Sequence, residues 1–298
     1  MNRSRSAYAA PELASVPKRV VCLVPCLTHS LIDLGLRNRL VGVTDYCLSS
    51  EEAGSGIARL GGPKTPDMET LIALEPDLVV ANQEENSRQS VEAMRAAGVP
   101  VWLTFPQTVD QAIQLLWKLL RVLRSEEATD RIRTLEMAVD WAAQAGGTRE
   151  PVCVFCPIWQ GQTEDGRLWW MTFNKHTYCH DLLALLGGRN PFGDRMRRYP
   201  LTADLGLGKA EDPGDRDTRY PRVTPEEVEK TAPEVVLLPS EPFEFKPQDV
   251  ERLKALLEHT PAVQQDRVYA IDGTLLTWHG TRIVRALAEL PAFLQNPP

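Results

Sequence analysis

An α/β protein of two similar lobes is the architecture this sequence predicts, and three observations predict it. The first is a duplication: residues 68–82 read METLIALEPDLVVAN and residues 226–240 read EEVEKTAPEVVLLPS, with Pro76 and Pro233 lying 157 positions apart. Each copy is a short amphipathic helix, a Pro, an acid and an apolar β-rich run, and each leads into a second helical pattern, residues 87–97 and 248–257. The second is the alternation of buried-type strand runs with helical patterns in both halves, the signature of parallel sheets covered by helices. The third is a helical stretch between the copies, long enough to join two lobes. A duplicated α/β unit places a ligand cleft between its halves, at the carboxyl ends of the strands.

Residues 1–18 form a Pro-containing leader. The first lobe, 19–106, opens with RVVCLV (19–24), a fully buried strand, followed by a helix over 28–36 and a strand at 40–44. Gly61-Gly62-Pro63 turns the chain into the first repeat copy, whose strand is 78–81; after a helix, VPVWLTF (99–105) is a fourth strand. Residues 107–147 are a helical linker. Thr108 and Gln111 have capping-box spacing, and Ile113, Leu116, Leu120 and Leu123 share one face. A second helix is predicted from Ser125 to Gly146-Gly147, with Ile132, Leu135, Val139 and Ala142 as its apolar stripe; about 20 residues at 1.5 Å each span ~30 Å. The second lobe, 148–298, opens with a buried strand, VCVFCP (152–157), and Asp165-Gly166 between two Trp-bearing runs marks a hairpin. A helix over 181–186 ends at Gly187-Gly188. Residues 193–222 read as a long, charged, Gly- and Pro-rich loop, of the kind that is functional or disordered. The second repeat copy, a helix, a strand at 268–271 and a closing helix over 281–293 complete the lobe.

Composition excludes several classes. Of 298 residues, 43% are hydrophobic and 24% charged, which is ordinary for a soluble chain, and no apolar run approaches the roughly 20 residues a spanning helix needs. A net charge of −7 argues against nucleic acid as a main partner. The first 16 residues lack the apolar core of an export signal. The expected location is therefore cytoplasmic, or periplasmic or otherwise extracytoplasmic if the start is misassigned, because Ala7-Tyr8-Ala9 resembles the end of a cleavage region. A monomer is expected. Cys22, Cys26, Cys153 and Cys156 lie in or beside apolar runs and read as buried, reduced and inert; Cys153 and Cys156, three apart in a strand, point to opposite faces. There is no nucleophile elbow or phosphate loop, so the chain is not expected to be an enzyme.

Several strings resemble the helical-backbone family of ABC-transporter substrate-binding proteins, the cobalamin, ferric-siderophore and haem binders. They are RVVCLVPCLTHSLIDLGL (19–36), LVGVTDYC (40–47), both repeat copies, MTFNKHTYCHDLLALLGGRNPF (171–192) and residues 272–288. The resemblance implies two Rossmann-like lobes bridged by a rigid helix, with a metal chelate held between them by aromatic rings and a few polar groups, no intrinsic cofactor, and one acid on each lobe docking on an ABC permease. Glu69 stands at the position of the first of these acids. The absent export signal and the long 193–222 loop depart from the family pattern.

Candidate ligand residues follow from position. Tyr46 directly follows the second strand, where a ring can stack on a planar macrocycle at low entropic cost; a capping role on the first core is the other reading. Trp278 and His279 precede the closing helix on the carboxyl side of the last strand of the second lobe and match a ligand-facing position of the family; the pair suits stacking on a corrin or porphyrin, or axial ligation. Trp159, Trp169 and Trp170 lie on the hairpin, and of the adjacent pair only one can be core; the other is exposed, under the long loop, or a platform for ligand. Glu84 and Glu85 follow the first repeat strand and read as an acid/base or metal pair, or as a solvated helix start. Arg216, Arg219 and Arg222 offer guanidinium groups to ligand carboxylates or phosphate. His176 and His180, four apart, with His29 and Cys47 as further ligands, make a bare metal site conceivable. The functional expectation is capture of a metal chelate, a cobalamin-like corrinoid first and haem or ferric siderophore next, for ABC-type uptake or intracellular carriage. A divalent-metal receptor and a two-lobed tetrapyrrole chelatase using His279 or His176 with Glu84 are the alternatives.

Overall fold

The computed structural model describes residues 8–48 and 56–295. Residues 1–7, including Ala7 of the cleavage-like fragment, and residues 296–298 lie outside the described residues. The chain divides into two compact units, one of residues 1–106, 110–137 and 278–283, the other of residues 107–109, 138–277 and 284–298.

The first unit is built on a parallel sheet of order β3-β2-β1-β4-β5. Its elements are β1 (Val20–Cys22), α1 (Pro25–Asp33), β2 (Leu40–Val43), β3 (Ala58–Arg59), α2 (Met68–Ala73), β4 (Leu78–Asn82), α3 (Arg88–Ala96) and β5 (Val101–Thr104). Strand β1 pairs with β2 on one side and β4 on the other, so the direction of winding reverses at β1, the point where open α/β sheets bind ligands. Val21, Leu23, Leu71, Val79, Val91 and Met94 fill the space between sheet and helices. Two helices follow, α4 (Val109–Leu123) and α5 (Thr129–Gly147). The left-handed residue Arg124 (φ 45°) and a turn at 127–128 delay α5 to Thr129, four residues beyond the expected Ser125. The first amide of α4, Val109 N–H, is satisfied by the Asp181 carboxylate at 2.7 Å. The division between units falls inside α5, after Met137.

In the second unit the parallel sheet runs β12-β11-β6-β9, and a separate antiparallel sheet runs β10-β8-β7. The elements are β6 (Val152–Phe155), β7 (Trp159–Gln162), β8 (Leu168–Met171), α6 (Tyr178–Leu185), β9 (Gly188–Arg189), α7 (Leu201–Asp204), β10 (Arg222–Val223), α8 (Pro225–Lys230), β11 (Val235–Pro239), α9 (Pro247–Leu256), α10 (Pro261–Gln264), β12 (Val268–Ile271), α11 (Thr274–Thr277), α12 (Ile283–Glu289) and α13 (Pro291–Leu294). The closing helix is thus two helices, preceded by a 3-10 turn at Gly280–Arg282, and Pro291 starts the second. Phe155, Trp170, Phe192, Val236, Leu238 and Leu253 form the core.

The duplication is physical as well as textual. In each copy the residue before the Pro, Glu75 (φ 43°) or Ala232 (φ 46°), adopts the left-handed conformation that ends the helix. The acid after the Pro then fastens the first strand of its unit. Asp77 accepts from the amides of Lys18 (2.8 Å) and Arg19 (2.9 Å) and donates its own amide to the Arg19 carbonyl at 2.8 Å. Glu234, at the same repeat position, accepts from Cys153 N at 2.7 Å and donates its amide to the Cys153 carbonyl at 2.8 Å. Each copy carries its own acid because each sheet needs its first strand clamped beside the repeat strand.

The 193–222 stretch is an organised substructure. The carboxylate of Asp204, wholly buried, accepts from the amides of Arg198 (2.9 Å) and Arg222 (2.8 Å) and pairs with the Arg195 guanidinium at 3.2 Å. Asn174 Nδ2 ties in the carbonyls of Arg195 (3.2 Å) and Thr218 (3.1 Å), and the ring of Tyr199 lies between the guanidinium groups of Arg197 and Arg216, each 4.2 Å from its centroid. A buried carboxylate surrounded by donors converts a charged loop into a fixed one.

Candidate functional site

The carboxyl edge of the first sheet carries Tyr46 beyond β2, Gln83 to Glu85 beyond β4 and Phe105 beyond β5. Tyr46 is 70% exposed, so its ring does not cap the first core. Glu84 and Glu85 occupy a turn, not a helix start, since α3 begins at Arg88 behind the Ser87 cap. The turn is set by Asn82 Oδ1, which accepts from Glu84 N at 2.8 Å, and by Asn86, whose side chain accepts from Asn82 N (2.8 Å) and donates to Pro63 O (2.9 Å). Glu84 is exposed on this edge.

Trp278 and His279 belong to the first unit, although the sequence order assigns them to the second. Gly280 makes this possible: its φ is +77° and Ser30 Oγ fills the space that a Cβ would need, so only glycine lets the chain settle on α1. Thr281 completes the attachment through Ser30 Oγ, to which its amide donates at 3.1 Å, and through Asp33, to which its hydroxyl donates at 2.6 Å. Trp278 then packs against His29 in a tilted pair with ring centroids 5.3 Å apart, and the Arg282 guanidinium stands 5.7 Å from the indole.

His279 points inward. It is 6% exposed, its Nε2 lies 3.5 Å from Cys26 Sγ, and burial lowers its pKa from 6.5 to about 4. The expected ligand-facing imidazole is thus a neutral buried group, because a cation there would lose its hydration. The surrounding thiols are equally neutral. Burial, with Cys47 nearby, pushes Cys22 up to about 12; burial and the charge of Glu85 raise Cys26 well above the usual thiol range; burial raises Cys47, whose Sγ lies 3.1 Å from Thr44 Oγ1. Burial likewise raises Cys153 and Cys156.

In the second unit the three hairpin tryptophans have three fates. Trp170 is fully buried in the core, which removes it from the ligand set. Trp169 is half-buried, its ring lying over Gly161, its cross-strand partner, with the Arg222 guanidinium 5.7 Å from the ring. Trp159 is 42% exposed and meets Phe243 edge-on at 5.4 Å, which in turn meets Phe245 at 4.9 Å. Trp159 follows β6 and Phe243 follows β11, both at the carboxyl edge of the parallel sheet. The sequence reading missed Phe243, although EPFEF begins two residues after the second repeat strand, as Glu84-Glu85 begin two residues after the first.

Other candidates are engaged elsewhere. Arg219 forms a two-point pair with Asp217 at 3.0 and 2.6 Å, and Arg216 pairs with Glu211 at 3.5 Å; their charges are already matched. Helix α6 begins behind its Thr177 cap, so His176 lies outside it and does not share a helix face with His180. The half-buried His180 has its Nδ1 3.3 Å from Asn190 Nδ2, and burial lowers its pKa. Among the described residues no group of three or more His, Cys, Asp or Glu side chains is arranged to hold a metal ion. Glu69 is exposed in the first turn of α2. No helix is long and apolar enough to cross a membrane among the described residues.

Comparison with known proteins agrees with this architecture. The chain is 24% identical over 188 residues to a vitamin B12-binding protein of Yersinia pestis (strain Pestoides F), covering 63% of this chain; it spans 64% of that relative's length. Among solved structures it is similar to a possible iron-binding (periplasmic solute-binding) protein from Staphylococcus epidermidis, at 19% identity and TM-score 0.71, covering 95% of this chain and all of the other. It is also similar to an apo periplasmic heme-binding protein from Roseiflexus sp. RS-1, at 21% identity and TM-score 0.68, covering 93% and 97%. These similarities show a shared fold, and all three names are those of binding proteins, not enzymes. The periplasmic binding protein family matches residues 20–275, most of the chain, and to that family this protein belongs.

Proposed function

We propose that the protein captures a metal chelate, a cobalamin-like corrinoid ahead of haem or a ferric siderophore, as the substrate-binding component of ABC-type uptake or as an intracellular carrier. The observation that carries this is an exposed aromatic ring a few residues beyond a strand of each parallel sheet, on its carboxyl side, Tyr46 after β2 and Trp159, the first residue of β7, after β6. Such rings match the flat, largely apolar faces of a macrocycle. The corrinoid stands first because the sequence relative is named for vitamin B12. Membership of a binding-protein family displaces the chelatase alternative, and the inward-facing His279 supplies no axial ligand. Glu69, exposed at the start of α2, is the proposed acid for a permease arginine. The test is a thermal-shift titration with cyanocobalamin, haemin, ferrichrome and divalent metals. At 100 times the Kd, mass action stabilises the fold by about 2.7 kcal/mol, a rise in Tm of roughly 5–10 °C. Tyr46→Ala and Trp159→Ala should diminish it. A rise with a divalent metal alone, or with none of the probes, overturns the reading.

A further inference from the structure

Tyr8 lies at the carboxyl edge of the first sheet. Trp102 is fully buried on β5, and its indole Nε1 donates to the Tyr8 carbonyl at 3.2 Å; a buried indole N–H without an acceptor would be costly. The Tyr8 ring packs on Phe105 with centroids 5.3 Å apart, and its hydroxyl donates to Gln83 Oε1. One residue therefore meets three others on or just beyond two adjacent strands, at separations of 75 to 97 positions. Two of the three, Gln83 and Phe105, immediately follow β4 and β5. Across the edge the order is Tyr46 beyond β2, then β1, then Gln83 beyond β4 and Phe105 beyond β5, so Tyr8 gives the β5 end the aromatic side chain that Tyr46 gives the other. The ring remains half-exposed.

Resting on the chelate-binding reading above, we infer that Tyr8 is a specificity-determining residue of the ligand rim. Its ring offers an apolar face to the chelate, and its hydroxyl holds the Gln83 amide in a fixed orientation beside it.

The experiment is a titration of the full chain and of Tyr8→Ala and Tyr8→Phe with cyanocobalamin, haemin and ferrichrome, alongside Tyr8→Ala and Asp77→Ala melting curves. Asp77 lies at the opposite, amino end of β4, so Asp77→Ala loosens the same sheet without touching the rim. The expected result is a Kd at least 10-fold weaker in Tyr8→Ala for the chelate that the unmodified chain binds, with affinity retained in Asp77→Ala despite its lower Tm. Tyr8→Phe should keep most of the affinity while changing the preference between chelates, since it keeps the ring and releases Gln83. Binding by the unmodified chain that Tyr8→Ala leaves unchanged overturns this inference alone. Absence of binding by the unmodified chain overturns the functional reading and this inference together.

Discussion

His279 makes the stability of the first unit sensitive to pH in a direction and window that follow from its burial. The neutral imidazole beside Cys26 is favoured in the folded chain, where its pKa is about 4 against 6.5 for an unperturbed histidine. Between these values the unfolded chain binds a proton that the folded chain refuses, so stability rises with pH there. The contribution is complete above pH 6.5 and is lost as pH falls toward 4. Each tenfold difference in proton affinity between the folded and unfolded chain is worth about 1.36 kcal/mol, so the loss over that window is about 3 kcal/mol. Urea midpoints measured from pH 4 to 7.5, converted through the m value, should show this loss in the unmodified chain. His279→Gln carries no titrating group and should lose less by about that amount, although it is less stable at pH 7.5. Taking the difference between the two curves cancels the carboxylates that titrate in the same range. Parallel curves across the window would refute the burial of a neutral imidazole.

Two further outcomes follow from the geometry. Asp77→Ala and Glu234→Ala should each cost about 1–2 kcal/mol, because each removes a charged acceptor from strand amides partly open to solvent, and the pair should be additive since the two acids lie in different units; a urea-denaturation cycle reads this, and strong coupling would contradict it. Under native conditions a disulfide reagent should modify the half-buried Cys179 first, while Cys22, Cys26, Cys47 and Cys156 react only at the rate of unfolding; rapid modification of four or more thiols would show that the cluster is open.

The contrast between Asp77 and His279 shows which parts of this protein its sequence announces. The repeat is legible because helix end, Pro, acid and strand are local chemistry: a left-handed residue before Pro, and a carboxylate within reach of the neighbouring strand's first amides, recur at the same offset in both copies. The hairpin is legible for the same reason, and its register holds a further signal. An Asp165-Gly166 turn sets Gly161 opposite Trp169, and a glycine facing a tryptophan is the space that ring needs, which assigns Trp169 to the sheet without any knowledge of the loop above it. The placement of residues 278–283 has no such local sign. It depends on Ser30 and Asp33, some 250 positions earlier, and on the freedom of Gly280 to take φ +77°. Periodicity reports what a segment buries and not which surface it buries against, so Trp278 and His279 read as neighbours of the strand they follow when they are neighbours of α1. Rim residues share that property: Tyr46 is visible in the sequence because it follows a strand within one stretch of local pattern, whereas Tyr8 reaches its edge across 75 positions or more, through contacts with Gln83, Trp102 and Phe105 that no local pattern announces.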